Sequence, residues 1–256
     1  MENSKRLYIF TGHYGSGKTE VSVNFARMLN KRNKATGGRK VAIIDMDIIN
    51  PFFRTADSKE LLESEGIRVE LPVYANTNVD VPALTADMGA LIRNKEFDVV
   101  LDIGGDDLGA KAVGFYAEDI KNEDHIMYFV MNAYRPFTGD VESAVEVFND
   151  IEESAGIGIS GIVNNSNLLE QTSADTVLKG YRLVKEVAKV KKVPVLMHTA
   201  FKDTASELIE RNNAQTDDRP SDLSKDLEIA SLPYVFGAQL LSMDECVKLL
   251  WKRGEA

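Results

Sequence analysis

Six short stretches of the chain carry the strongest strand signal: Arg6 to Thr11, Val41 to Ile44, Phe97 to Asp102, His125 to Asn132, Ile159 to Asn164 and Val193 to Met197. An apolar run without alternation, such as Val41 to Ile44, is what a parallel strand buried on both faces looks like. Pro194 marks the sixth as an edge strand or a strand start. Ile67 to Leu71 alternates and predicts one more short strand. Between them the apolar positions fall into helical steps. Thr19 to Asn30 repeats at three and four residues through Val23, Ala26 and Leu29, and Gly139 to Ala155 does so through Val141, Val145 and Phe148. Ser58 to Glu65 stops at Gly66, Pro82 to Lys95 opens on proline, and Lys111 to Lys121, Thr172 to Lys191 and Lys202 to Ala214 complete the helical set. Leu240 to Arg253 is expected to close the chain as a helix on the sheet. Lys31 to Lys40 and Pro72 to Val81 read as loops, and a mobile loop is expected around 212–228. Strands alternating with helices predict an α/β fold, a doubly wound and mostly parallel sheet, in one domain spanning 1–256.

Composition narrows the function. The 256 residues are 44% hydrophobic, enough for one sizeable core. A net charge of −10 argues against a general nucleic-acid binder, which needs a basic surface. The single cysteine, Cys246, leaves no pair for a disulfide or a thiolate metal cage. No apolar run has the length to cross a membrane, and the first residues are short and polar, so a cytoplasmic location is expected.

The chemistry concentrates where expected strands end, as in open α/β sheets. After the first strand comes Gly12-His13-Tyr14-Gly15-Ser16-Gly17-Lys18-Thr19, which fits the phosphate-binding loop G-x-x-x-x-G-K-[ST], with strand before it and helix after. Its glycines let the backbone approach a phosphate, and its amides point at the anion. Lys18 is expected to reach the β- and γ-phosphates, and Thr19 to ligate Mg²⁺. Glu20, next along, completes the candidate nucleotide-binding stretch.

The carboxylates follow. Asp102 ends an apolar strand and is expected to orient the metal, with Gly104-Gly105 letting the next loop approach a γ-phosphate and move on hydrolysis. Asp45 and Asp47 end the second strand. They are expected to face different sides, so that only one meets the nucleotide: Asp47 for the attacking water, Asp45 for the metal shell or a loop anchor. Arg135, after the fourth strand, is a candidate phosphate or partner contact, and His198 reads as structural. Phe52 and Phe53 offer an aromatic contact for a partner.

Taken together, Gly-x-x-Gly-x-Gly-Lys-Thr, then Asp-x-Asp-x-x-x-Pro, then an apolar strand ending Asp-x-Gly-Gly, then Asn at a later strand end resemble the MinD/ParA/Mrp-type P-loop ATPases over roughly residues 5–200. The resemblance implies a P-loop NTPase fold, and an adenine contact from Asn165, with Asn164 one register away. It implies that Pro194 to Thr199 wall the base. No guanine-reading Asn/Thr-Lys-x-Asp lies in a fitting place, which favours ATP. One departure stands out: the family's second lysine in the loop is replaced by His13, which puts an ATP-driven homodimer in question. The expected function is a Mg-dependent, slow ATPase that acts as a nucleotide-controlled switch on a protein partner. An ATP-dependent ligase or kinase with a small-molecule acceptor is the alternative.

Overall fold

A computed structural model describes residues 5–47, 55–72, 86–105, 107–214 and 232–247. Among the described residues nine strands form one sheet: β1 (Leu7–Thr11), β2 (Lys40–Met46), β3 (Arg68–Glu70), β4 (Phe97–Ile103), β5 (His125–Met131), β6 (Gly161–Asn164), β7 (Val195–Phe201), β8 (Tyr234–Val235) and β9 (Ala238–Met243). Their order is β3-β2-β4-β1-β5-β6-β7-β9-β8, and every neighbouring pair is parallel except β8 with β9. The helices are α1 (Lys18–Thr36), α2 (Lys59–Ser64), α3 (Ala86–Arg93), α4 (Asp107–Gly114), α5 (Ala117–Lys121), α6 (Val141–Ala155), α7 (Ala174–Lys191) and α8 (Lys202–Asn213). The doubly wound, mostly parallel α/β layout is the one the strand and helix signals predict.

Strand alternation divides the core in two. Leu7 and Ile9 of β1, Ala42, Ile44 and Met46 of β2, and Val99, Leu101 and Ile103 of β4 pack beneath α3, α5, α6 and α7. Tyr8 and Phe10, Val41 and Ile43, and Val100 face the other way, onto Val21, Phe25 and Leu29 of α1 and Leu62 of α2. Both faces are therefore apolar, which is why the strands read as unbroken runs. A third, smaller cluster joins α7 and α8 to β7, β8 and β9 through Val177, Leu208 and Leu240.

Several boundaries differ from expectation. The α1 helix does not stop at Asn30 but runs two further turns, to Gly37 in the left-handed conformation. Its polar residues there are not loop residues: Asn33 is buried and donates to Arg39 O and to Asp98. Lys111 to Lys121 splits into α4 and α5 at Phe115 and Tyr116. Of the two readings of Pro194, the strand start holds, since β7 begins at Val195, and the edge does not, because β9 covers β7. The larger correction is at the end. Leu240 to Met243 is not helical but the parallel strand β9, paired with β7 from Met197↔Gln239 to Phe201↔Met243. A short apolar run has no period that separates strand from helix. Here the open edge of β7 decides, together with the tight turn at Phe236 and Gly237, where both residues have positive φ. Residues 244–247 follow β9 as irregular chain, while 248–253 of the expected helix, most of the expected mobile loop, and Phe52, Phe53 and Arg54 lie outside the described residues; Asn212 and Asn213 belong to α8. Among the described residues no helix is long and apolar enough to cross a membrane.

Candidate functional site

The Gly12–Thr19 loop leaves the carboxyl end of β1, between β4 and β5. Gly15 and Gly17 are left-handed, at φ 76° and 82°, and Gly17 caps α1 without any side-chain hydrogen bond. The amides of the first helical turn have no intrahelical acceptor, so the helix opens on a ring of donors with the positive end of its dipole. The loop is closely overlaid. A Cβ at Gly17 would meet the Asn165 amide, and one at Gly105 would run into the Gly12 carbonyl. The Gly104-Gly105 turn after β4 therefore lies directly on the phosphate loop.

Three aspartates converge beneath it. Asp45 of β2 and Asp102 of β4 are direct partners in the parallel register. Both alternate with residues of the opposite core layer, so both point to the α1 side of the sheet. Asp47 lies two residues beyond Asp45, on that same side. This corrects the expectation that Asp45 and Asp47 diverge: a strand has period two, so residues i and i+2 share a face. Lys18 Nζ pairs with Asp47 Oδ2 at 2.7 Å, with both side chains buried, and the Asp47 N–H donates to Asp45 Oδ1 at 2.9 Å.

The electrostatics follow from crowding like charges in a dry place. Burial works against the Lys18 ammonium, but Asp47, Asp102 and Asp45 outweigh it, and its pKa ends above the ordinary lysine value. Burial, then the Asp102 charge, pushes Asp45 up to about 8. Burial also raises Asp102, to about 6, against the pull of Lys18 and of hydroxyls from Thr19 and Thr55. Two carboxylates this close cannot both hold a charge cheaply.

The donor set suits a hard cation. Asp102 Oδ2 accepts from Thr55 Oγ1 at 3.2 Å, while Asp102 Oδ1 is buried with no hydrogen-bond partner, as is the hydroxyl of Ser16 in the loop above. Thr19, Asp102 and Asp45 offer oxygen only, as magnesium prefers. Among the described residues no three His, Cys, Asp or Glu side chains close into a metal cage. A cation here would rest on few protein ligands, which is again the habit of magnesium with phosphates.

No family model matches the chain, and no curated protein matches it. Among solved structures, the chain is similar to a nucleotide-binding protein from Archaeoglobus fulgidus, solved in complex with ADP. The identity is 16%, over 90% of this chain and 93% of that one, with a TM-score of 0.46. It is also similar to the cell division protein FtsY from Thermotoga maritima, at 16% identity over 77% of this chain and 62% of that one, with a TM-score of 0.47. FtsY from Mycoplasma mycoides follows at 19% identity, 78% and 62% coverage, and a TM-score of 0.45.

Beside the phosphate loop lies a cavity of about 250 Å³. Its walls come from the loop and α1, from the segment after β6, from the end of β7 and from the segment after β9, with Asn165, Leu169, Phe201, Met243 and Val247 among them. Asn165 is well placed on this wall. Its Nδ2 donates to Ser16 O at 2.7 Å, and its Oδ1 accepts from Thr199 Oγ1 at 2.6 Å. Asn164, the neighbouring candidate, faces away. It donates to Val177 O and meets His198 Nδ1 at 3.0 Å, while its Oδ1 accepts from the Ser166 N–H. The acceptor role of that oxygen fixes which end of the amide is NH₂, so His198 Nδ1 accepts and the ring is neutral. Burial, with the Lys185 charge second, lowers His198 to about 4. His198 is thus fully buried and packed against Tyr181.

The other candidates separate. His13 packs its ring on Phe137, with centroids 4.5 Å apart, and Tyr14 is 58% exposed; both line the outer rim of the loop. Arg135 Nε donates to Gly15 O at 3.0 Å, which puts its guanidinium at the mouth of the cavity. Glu20 lines the cavity, but its carboxylate accepts the N–H groups of Cys246 and Val247 at 2.7 and 2.9 Å. Burial, offset by those hydrogen bonds, leaves its pKa raised. Thr55 and the 244–247 segment belong to the site without any signal in the sequence. Thr55 follows no motif, and the run containing 244–247 carries a helical pattern.

Proposed function

We propose that the chain is a Mg-dependent ATP-binding protein and slow ATPase, a switch that alters its grip on a protein partner as nucleotide is bound and hydrolysed. The observation that carries this is the buried Lys18–Asp47 pair, set under a glycine loop and over Asp45 and Asp102, with a cavity adjoining it. Without nucleotide the ammonium is held by a carboxylate; with nucleotide, Lys18 turns to the phosphates and Asp47 is released to orient a water molecule. Gly12 to Thr19 hold the phosphates through backbone amides. Thr19, Asp102 and Asp45 would hold magnesium, which would supply a positive charge to offset that of the phosphates. Gly105 packs on Gly12, so the turn after Asp102 would respond as a γ-phosphate enters, and the short turn opening at Thr55, which bonds Asp102, would feel the same event. Those two segments are the switch elements that a partner would read. Asn165 contacts the base, and the absence of a guanine-reading motif supports adenine. The reading takes residues 1–256 as one nucleotide-binding domain.

The test is ATP binding and turnover, with magnesium and with a chelator, by wild type and Lys18→Ala. Slow, magnesium-dependent release of phosphate that Lys18→Ala abolishes is the expected result. Turnover that requires an added carboxylate or alcohol acceptor would replace the switch by a ligase or kinase. Absence of nucleotide binding would remove the proposal.

A further inference from the structure

The segment after β9 is fastened to α1 more thoroughly than a passing loop. Glu20 accepts from the N–H of Cys246 and of Val247. One turn along, Asn24 brackets Asp244: its Nδ2 donates to Asp244 O at 2.9 Å, and its Oδ1 accepts from the Asp244 N–H at 2.7 Å. A further turn on, Arg27 pairs with the Asp244 carboxylate at 3.1 Å. From the other side Ser58 donates to Cys246 O at 2.8 Å. Four residues of irregular chain thus have their main-chain groups at 244, 246 and 247 engaged by side chains of two other elements. Meanwhile Met243, Glu245 and Val247 line the cavity beside the phosphate loop. Glu20 and Asn24 themselves share a hydrogen bond, Nδ2 to Oε1 at 2.9 Å, so the two anchors orient each other.

Helical spacing explains the arrangement. Residues 20, 24 and 27 lie on one stripe of α1, and the stripe begins one residue after Thr19. The element that presents amides to the phosphate therefore also holds the far wall of the cavity. We infer that residues 244–247 form a preset wall for the nucleoside half of the nucleotide, and that Glu20 and Asn24 are the positioning residues that set it. Neither residue touches the reacting atoms. Their effect is on affinity for the base and sugar, through the strap they hold. This rests on the nucleotide-binding reading above.

Isothermal titration separates the possibilities, with ATP and inorganic tripolyphosphate as two probes on the full chain. Glu20→Ala removes both charge-assisted bonds to residues 246 and 247, with the one from Asn24, and is expected to weaken ATP on the order of tenfold or more, with tripolyphosphate changed less than about twofold. Glu20→Gln, which keeps an acceptor oxygen, restores most of the ATP affinity. Asn24→Ala is the independent variant should Glu20→Ala fail to fold, and shows the same loss confined to ATP. The inference is overturned if both variants bind ATP as wild type does. It is equally overturned if ATP and tripolyphosphate weaken together, which would place Glu20 on the phosphates or in the general fold. If wild type binds tripolyphosphate but not ATP, the nucleotide reading itself has failed, and the inference with it.

Discussion

Replacing Asp47 by Asn tests the central pair directly. At an effective dielectric of about 20, unit charges 2.7 Å apart attract by roughly 6 kcal/mol before the cost of burying them is counted. Removing one partner of such a pair usually costs about 3–5 kcal/mol, because the other charge is left stranded. Lys18 is not wholly stranded, since Asp102 and Asp45 also face it and the first of these is mostly ionised near neutral pH. The expected loss in the nucleotide-free protein is therefore smaller, about 2 kcal/mol, or a fall of about 5 °C in Tm for a chain of this size. ATP restores a partner to the ammonium. By the thermodynamic cycle, the variant is expected to bind ATP more tightly, by about tenfold if most of that 2 kcal/mol returns. Turnover is expected to drop by about 10² or more, since the amide cannot serve as base for the water. Urea unfolding without nucleotide, titration calorimetry with ATP and phosphate release give the three readings. If stability falls and ATP binding weakens with it, Asp47 is holding the loop in shape and is not competing with phosphate for Lys18. That result would refute the reasoning.

Two further predictions rest on single contacts. Gly17→Ala puts a Cβ against the Asn165 amide at a left-handed φ of 82°. It is expected to cost about 1–3 kcal/mol of stability and to weaken ATP by more than tenfold, read by thermal shift with and without ATP. His198 is held neutral, with its pKa lowered from 6.5 to about 4. The unfolded chain then binds more protons between those values, so stability is full above pH 6.5 and is lost as the pH falls toward 4, by about 3 kcal/mol from this group. Denaturation of wild type and His198→Gln at pH 7 and pH 4.5 checks it: the wild type is expected to show a steeper acid loss, and equal slopes would mean that His198 charges freely in the fold.

The phosphate loop, the six main strands and most helices were legible in the chain because their chemistry is contiguous. Glycines at 12, 15 and 17, a lysine and a threonine in sequence specify a backbone shape by local sterics alone. Apolar runs likewise announce a buried sheet whatever its order. The presence of Asp45, Asp47 and Asp102 at strand ends was readable for the same reason. Their convergence was not. It depends on β2 lying beside β4 in the register that opposes Asp45 to Asp102, and on the shared parity of 45 and 47 on one face. The choice between Asn164 and Asn165 was open in the sequence, since either ends the same strand. Only the fold sets which side chain crosses to Ser16 and which turns inward to His198. Leu240 to Met243 reads as helix in the sequence because a short apolar run has no period of its own. The free edge of β7, formed by residues some forty positions earlier, makes it a strand and carries residues 244–247 to Glu20. Local backbone preference is written residue by residue, whereas the partners of a buried charge are set by which distant segments the sheet brings together.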